Sequence, residues 1–140
     1  MSRSGYSEDL DALELGRWRG QVAAATRGKR GQKFFRDLVV ALDAMSEKKL
    51  VKSNLETTEG AVCALGALGR FRAVLLSDLD TYDHEALGRA FDIAHQLAQE
   101  VMYENDDRWC KTDEDRWAYV RSWAAEQIVP TGAELQGTAT

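Results

Sequence analysis

Seven basic side chains and no acidic one fall between Arg17 and Arg36, in RWRGQVAAATRGKRGQKFFR. Arg17, Arg19, Arg27, Lys29, Arg30 and Lys33 are candidate contacts for an anion, and Trp18 stands among them in a position to stack on a base. An arginine forks onto phosphate oxygens through two parallel N–H bonds, and the free N–H groups at a helix start attract negative charge. Gly28 and Gly31 would let backbone approach such a ligand closely. The alternative is a solvated turn whose arginines pair with carboxylates elsewhere in the chain. The segment is no P-loop, because GKRG lacks the G-x-x-x-x-G-K-[ST] spacing, and an ATPase is not expected.

A second constellation is acidic. Glu100, Glu104, Asp106, Asp107, Asp113, Glu114 and Asp115 lie within 16 residues. On a helix Glu100 and Glu104 share a face. Carboxylates so placed can hold Mg²⁺ together with phosphate oxygens. They can also mimic nucleic-acid charge toward a partner, or cap helices and form a solvated face, which is the preferred reading. The EF-hand spacing is absent. His84 and His95 stand 11 positions apart, with Cys63 and Cys110 far from both, so no pair has zinc-ligand spacing. Cys63, inside an Ala/Gly/Leu run, reads as a small core residue. Trp109, Trp117, Tyr119 and Trp123 crowd one region beside Arg108, Arg116 and Arg121. Most should pack in the core, and the surplus suits a protein interface. A partner surface would then draw on Glu104, Asp106, Asp107, Trp109 and Trp117. No residue is assigned to catalysis or to a metal, and no cofactor is implied.

The elements that must position these groups read as helices. Residues 1–7 are polar and expected to fray, one helical domain spans 8–129, and 130–140 form a flexible tail. Ser7, followed by Glu8 and Asp9, suits a helix start. Leu10, Leu13, Trp18, Val22 and Ala25 continue an imperfect stripe, weakened by Gly16 and Gly20. Gly28 to Gly31 is a turn. Phe34, Phe35, Leu38, Val39, Leu42 and Met45 then recur at helical spacing. Residues 50–58 are ambiguous between strand, extended connection and helical turn. Glu59 to Arg72 reads as a helix whose small residues permit close packing. Asp83 caps a helix from His84 to about Phe91, and another ends at Asn105-Asp106-Asp107. Thr112 caps the last helix, with Asp115 at the capping-box position. The expected fold is all-α or mainly α: a compact single-domain bundle of five or six short helices, with room for one short strand pair.

Composition bounds the rest. At 140 residues, with 44% hydrophobic and 29% charged side chains, one domain can bury its own core. The net charge of −5 is uneven: residues 1–52 carry 11 Lys/Arg against 7 Asp/Glu, and residues 53–140 carry 7 against 16. Such an asymmetry marks an anion-binding face or contacts between halves or subunits, so a homo-oligomer is one expectation. Two isolated cysteines fit a reducing cytoplasm. No apolar run is long enough to span a membrane, and MSRSGYSEDLDAL has no signal-peptide core.

The blocks WRGQVAAATRGKRGQKFFRDLVVALDAM, GAVCALGALGR, IAHQLAQEVMYENDD and DEDRWAYVRSWAAEQI together resemble a family of small, mostly uncharacterised proteins encoded by tailed phages and prophages of Proteobacteria. The likeness runs from about Trp18 to Ile128. It carries no catalytic residues with it. It implies expression in the cytoplasm of a bacterial host, where small proteins of this kind block a defence, bind a defence signal or modulate a host enzyme.

The leading expectation is a non-enzymatic binding protein, a counter-defence or host-takeover factor that engages a nucleotide signal or nucleic acid through its basic segment. The alternatives are a direct protein inhibitor using the acidic and aromatic second half, a metal-dependent enzyme using Glu100 and Glu104 with Asp106 or Asp107, and a virion or assembly component. On the leading reading, a folded Arg27→Glu/Arg30→Glu protein loses its ligand, as measured by what co-purifies with it from a bacterial lysate.

Overall fold

The computed structural model describes residues 12–130. The fraying expected over residues 1–7, the helix start expected at Ser7 and the tail expected beyond Pro130 lie outside the described residues. Six α-helices follow in order: α1 (Ala12–Arg27), α2 (Lys29–Ala44), α3 (Ala64–Arg72), α4 (His84–Phe91), α5 (His95–Asp106) and α6 (Asp113–Glu126). The fold is an all-α bundle. No strand forms among the described residues; one antiparallel bridge joins Glu56 to Val62.

The apolar stripe of α2 fills the centre. Phe34, Phe35, Leu38, Ala41 and Leu42 are buried against α3 and α6, with Phe35 edge-on to Trp123. Leu97, Ala98, Val101 and Met102 of α5, and Leu87 and Phe91 of α4, complete the core. Helix boundaries follow local chemistry. The Asp83 carboxylate accepts from Ala86 N–H and starts α4; the Thr112 hydroxyl accepts from Asp115 N–H and starts α6. Asp92 ends α4 in the left-handed conformation (φ 57°), so it closes that helix and does not open the next.

Two expectations change at the connections. The turn expected over Gly28 to Gly31 is a single extended residue, Gly28, and Gly31 lies in the first turn of α2. A Cβ on Gly31 would sit 1.9 Å from the Ala25 carbonyl oxygen. Gly31 therefore serves the contact between the end of α1 and the start of α2, and it does not cradle a ligand. The helix expected from Glu59 begins only at Ala64, because residues 50–63 form a looped segment fastened to α5. Small residues do serve close approach here, but to backbone: a Cβ on Gly66 would sit 1.8 Å from the Leu55 carbonyl oxygen.

The fastening is polar and buried. The Asn105 carboxamide oxygen accepts from Ala64 N–H at 3.0 Å, doing at a distance what a local N-cap does for α3. Its nitrogen donates to the Val51 carbonyl at 3.1 Å and to Asp106 Oδ1 at 2.7 Å. Asp106 Oδ1 in turn accepts from Ser53 N–H. Removing the Asn105 amide leaves a buried N–H and a partly buried carbonyl unsatisfied. Asn105→Ala should destabilise the protein by about 2–4 kcal/mol in denaturant unfolding, since each orphaned group costs about 1–3 kcal/mol.

Candidate functional site

α1 lies against α5 without entering the core. Its buried side is a helical stripe, Leu15, Trp18, Val22 and Ala25, of which none is fully buried; Thr26 alone is. The gap between the two helices is a cleft of about 620 Å³, ordinary for a small-molecule site. Arg19 and Arg27 project from α1 at a spacing of eight residues, which places them on one face two turns apart, with Ala23 between them. Trp18 and Val22 give that wall an apolar surface. Glu100 and Tyr103 of α5, with Arg108 just beyond it, form the opposite wall, and Gln127 closes one end.

Behind Glu100 lies Glu104, 3% exposed. Its Oε2 accepts from the Tyr119 hydroxyl and, at 3.2 Å, from Arg108 Nε. The Arg108 guanidinium also lies over the Tyr103 ring, 5.0 Å from its centroid. Glu100 and Glu104 stand one helical turn apart, so two negative charges there would oppose each other. Burial first, and then the neighbouring Glu104, push the Glu100 carboxyl up to about 7 against the pull of Arg108 and Arg19. Burial and the bond to Glu104 likewise raise the Tyr119 phenol above its usual range. The cleft thus sets three guanidinium groups against one carboxyl that sheds its charge near neutrality.

One side chain outside the cleft ties two of its lining residues together. Gln32 of α2 donates through Nε2 to the Thr26 carbonyl at 2.8 Å and to the Gln127 carbonyl at 2.9 Å, while its Oε1 accepts from Val129 N–H at 2.7 Å. It joins the end of α1 to the end of α6. Its amphipathic spacing on α2 gives no hint of this role, because the partners are backbone groups from distant segments.

The basic residues named from sequence divide. Trp18, Arg19 and Arg27 line the cleft. Arg17, Lys29, Arg30 and Lys33 are exposed outside it. Arg30 meets Asp92 at 3.4 Å, and Lys33 meets Asp37 one helical turn on at 3.2 Å. Of these cations outside the cleft, Arg30 pairs with the acidic half, at an exposed contact. The acidic set divides too. Glu104 and Asp106 are buried and hydrogen-bonded within the chain, so neither forms the solvated face or partner surface expected of it. No local pattern marks this, because polar side chains follow no visible rule once the interior supplies their partners. Asp107 is exposed, and Trp109 stands 84% exposed on the turn before α6. Trp117 is half-buried and donates its indole N–H to the Leu42 carbonyl at 3.1 Å. Cys63 is buried at the start of α3, as a small core residue should be. Among the described residues no group of three His, Cys, Asp or Glu side chains converges.

A second cleft, about 680 Å³, opens between α2, α3 and the 50–63 segment, over Ala41, Met45, Val62 and Phe71. Its cations are engaged at the rim, Arg70 with Glu56 and Lys49 with Glu47 and Glu114. Its charged lining is of mixed sign, Glu47, Glu59 and Asp113 against Lys49 and Arg70, whereas cations predominate in the α1–α5 cleft. Among the described residues no helix is long and apolar enough to cross a membrane. No protein-family model, curated protein or solved structure matches this chain.

Because the folded protein keeps the Glu100 proton to about pH 7 while an unfolded carboxyl loses it near 4.5, folding binds a proton between those values. Stability should fall as pH rises through that window and level off above it. In Glu100→Gln the fall should be reduced, a difference that denaturant unfolding at stepped pH would show.

Proposed function

We propose that this is a phage-encoded binding protein, without catalysis of its own, that captures a nucleotide in the cleft between α1 and α5. The observation that carries the reading is the convergence of Arg19, Arg27 and Arg108 on one concave surface beside Trp18 and Tyr103. Guanidinium groups suit phosphate oxygens, and aromatic faces suit a base. The net charge of −5 works against a long polyanion and in favour of a small ligand held by local cations. Sequestration of a nucleotide signal in the cytoplasm of an infected bacterium, as counter-defence, is the role that fits such a protein.

The test is titration calorimetry with a panel of ribonucleotides and a short oligonucleotide. Arg19→Glu/Arg27→Glu should weaken nucleotide binding by about a hundredfold or more, since each charged hydrogen bond is worth about 1.5–3 kcal/mol. Arg17→Glu/Lys29→Glu, which changes the same number of charges outside the cleft, should leave affinity nearly unchanged. Equal loss in both variants, with the oligonucleotide as the better ligand, would replace the cleft by an open nucleic-acid surface.

A second reading is favoured by Trp109, whose exposure is that of an interface anchor before its partner arrives. On that reading the chain inhibits a host enzyme directly. A nuclease-resistant complex with such an enzyme, lost in Trp109→Ala and kept in Arg19→Glu/Arg27→Glu, would shift the function there.

A further inference from the structure

Of the three guanidinium groups in the cleft, one is held in place before any ligand arrives. Arg108 lies two residues past the end of α5, and its side chain is half-exposed in the wall of the cleft. Its Nε donates to Glu104 Oε2 at 3.2 Å, and its Nη2 reaches Glu104 Oε1 at 3.5 Å. One carboxylate thus grips one edge of the guanidinium with both oxygens. The Tyr103 ring lies against one face of the same group. Arg19 and Arg27, by contrast, project from α1, which does not enter the core.

The carboxylate that grips Arg108 is itself fixed. Glu104 is 3% exposed, and a carboxylate so deep must be paired and hydrogen-bonded. Its second partner is the half-buried Tyr119 of α6, whose hydroxyl donates to Oε2. Tyr119, Glu104 and Arg108 therefore form a chain of hydrogen bonds that runs from α6, behind the wall, to the surface of the cleft. A guanidinium carries five N–H donors in a rigid plane. Glu104 takes the one on Nε and one on Nη2. The pair on Nη1 and the second on Nη2 remain, and together they make an end-on fork that fits two oxygens of one phosphate. Because Arg108 lines the cleft, this fork is what it offers a ligand there.

We propose that Arg108 is the preset phosphate contact of the cleft, and that Glu104 and Tyr119 are positioning residues that aim its remaining fork at the ligand. This rests on the nucleotide reading above and deepens it by naming the groups behind the wall that prepare the site. The sign of the effect separates aiming from simple charge. Glu104 sets a negative charge beside an anion site, so on Coulombic grounds alone its removal should tighten phosphate binding. If Glu104 aims Arg108, its removal instead frees a long side chain that must be immobilised again on binding, and affinity falls.

The test is titration calorimetry of inorganic pyrophosphate and ATP with the full chain, on a double-mutant cycle between Glu104 and Arg108. Glu104→Gln keeps the size of the side chain and removes its charge and one of its two acceptors. It should weaken both probes by about three- to tenfold, the cost of ordering one long side chain. Arg108→Lys keeps the cation and has no fork to aim. In that background Glu104→Gln should no longer weaken binding. Tyr119→Phe leaves both charges in place and should weaken binding in the same direction, again only beside an intact Arg108. It carries the test alone if Glu104→Gln does not fold. Unchanged or tighter binding in a folded Glu104→Gln, or unchanged binding in Tyr119→Phe where that variant carries the test, would overturn the positioning role and leave the nucleotide reading standing. An equal loss in the Arg108→Lys background would also overturn it, because the loss would then come through the fold. No binding of either probe by the wild-type chain would remove the nucleotide reading and this inference together.

Discussion

The candidate site depends on how weakly α1 is committed to the core. The helix buries no apolar side chain completely, so the hydrophobic effect alone does not fix its position. Two features of the start of α2 do. Gly31 lacks the Cβ that would strike the Ala25 carbonyl, which lets the end of α1 lie directly on α2. Gln32 then ties Thr26 at that end to Gln127 and Val129 beyond α6. Anchored at its C-terminal end, α1 lies over α5 and leaves a cleft, where a helix with a stronger apolar face would have closed the gap.

The opposite wall belongs to an element built on the contrary principle. α5 is fixed deeply, by Leu97, Val101 and Met102 in the core and by Asn105 and Asp106 at its end. Its buried polar groups are satisfied by specific partners, as an interior of low polarity demands. Each partner comes from a different part of the chain: Ala64 at the start of α3, Val51 and Ser53 in the looped segment, Tyr119 on α6. The network that organises the 50–63 segment and the one that holds Glu104 are thus consecutive turns of a single helix. A rigid wall carrying Glu100 and Arg108 faces a lightly anchored wall carrying Arg19 and Arg27. That combination suits a site that adjusts to a ligand while keeping one reference surface fixed.

The electrostatics follow from the same geometry. An acidic protein can present a positive cleft only if its carboxylates are placed elsewhere or neutralised. Asp37, Asp43 and Asp92 pair with Arg72, Arg121 and Arg30 away from the cleft. Glu104 is enclosed by Tyr119 and Arg108, and burial beside Glu104 raises the Glu100 carboxyl well above its ordinary range. Exposed cations of the basic segment that do not reach the cleft, such as Lys33, are engaged locally and add only long-range attraction.

Sequence by itself determined the class of fold and much of its punctuation. The spacing of Phe34 to Leu42 marks α2, and Asp83 and Thr112 mark the starts of α4 and α6, because periodicity and caps are local properties of consecutive residues. It also singled out Trp18, Arg19 and Arg27, since an unbroken run of one charge needs no partner to be visible. Tertiary structure alone decided which basic side chains converge. Arg17 and Arg19 are two positions apart and point to different sides of a helix, while Arg19 and Glu100 line one cleft from segments far apart in the chain. It also turned Glu104 and Asp106 from presumed surface charges into interior ones, and gave Gln32 and Asn105 their roles. Whether a polar side chain faces water or a buried partner depends on groups brought together only by folding, and no local pattern encodes that.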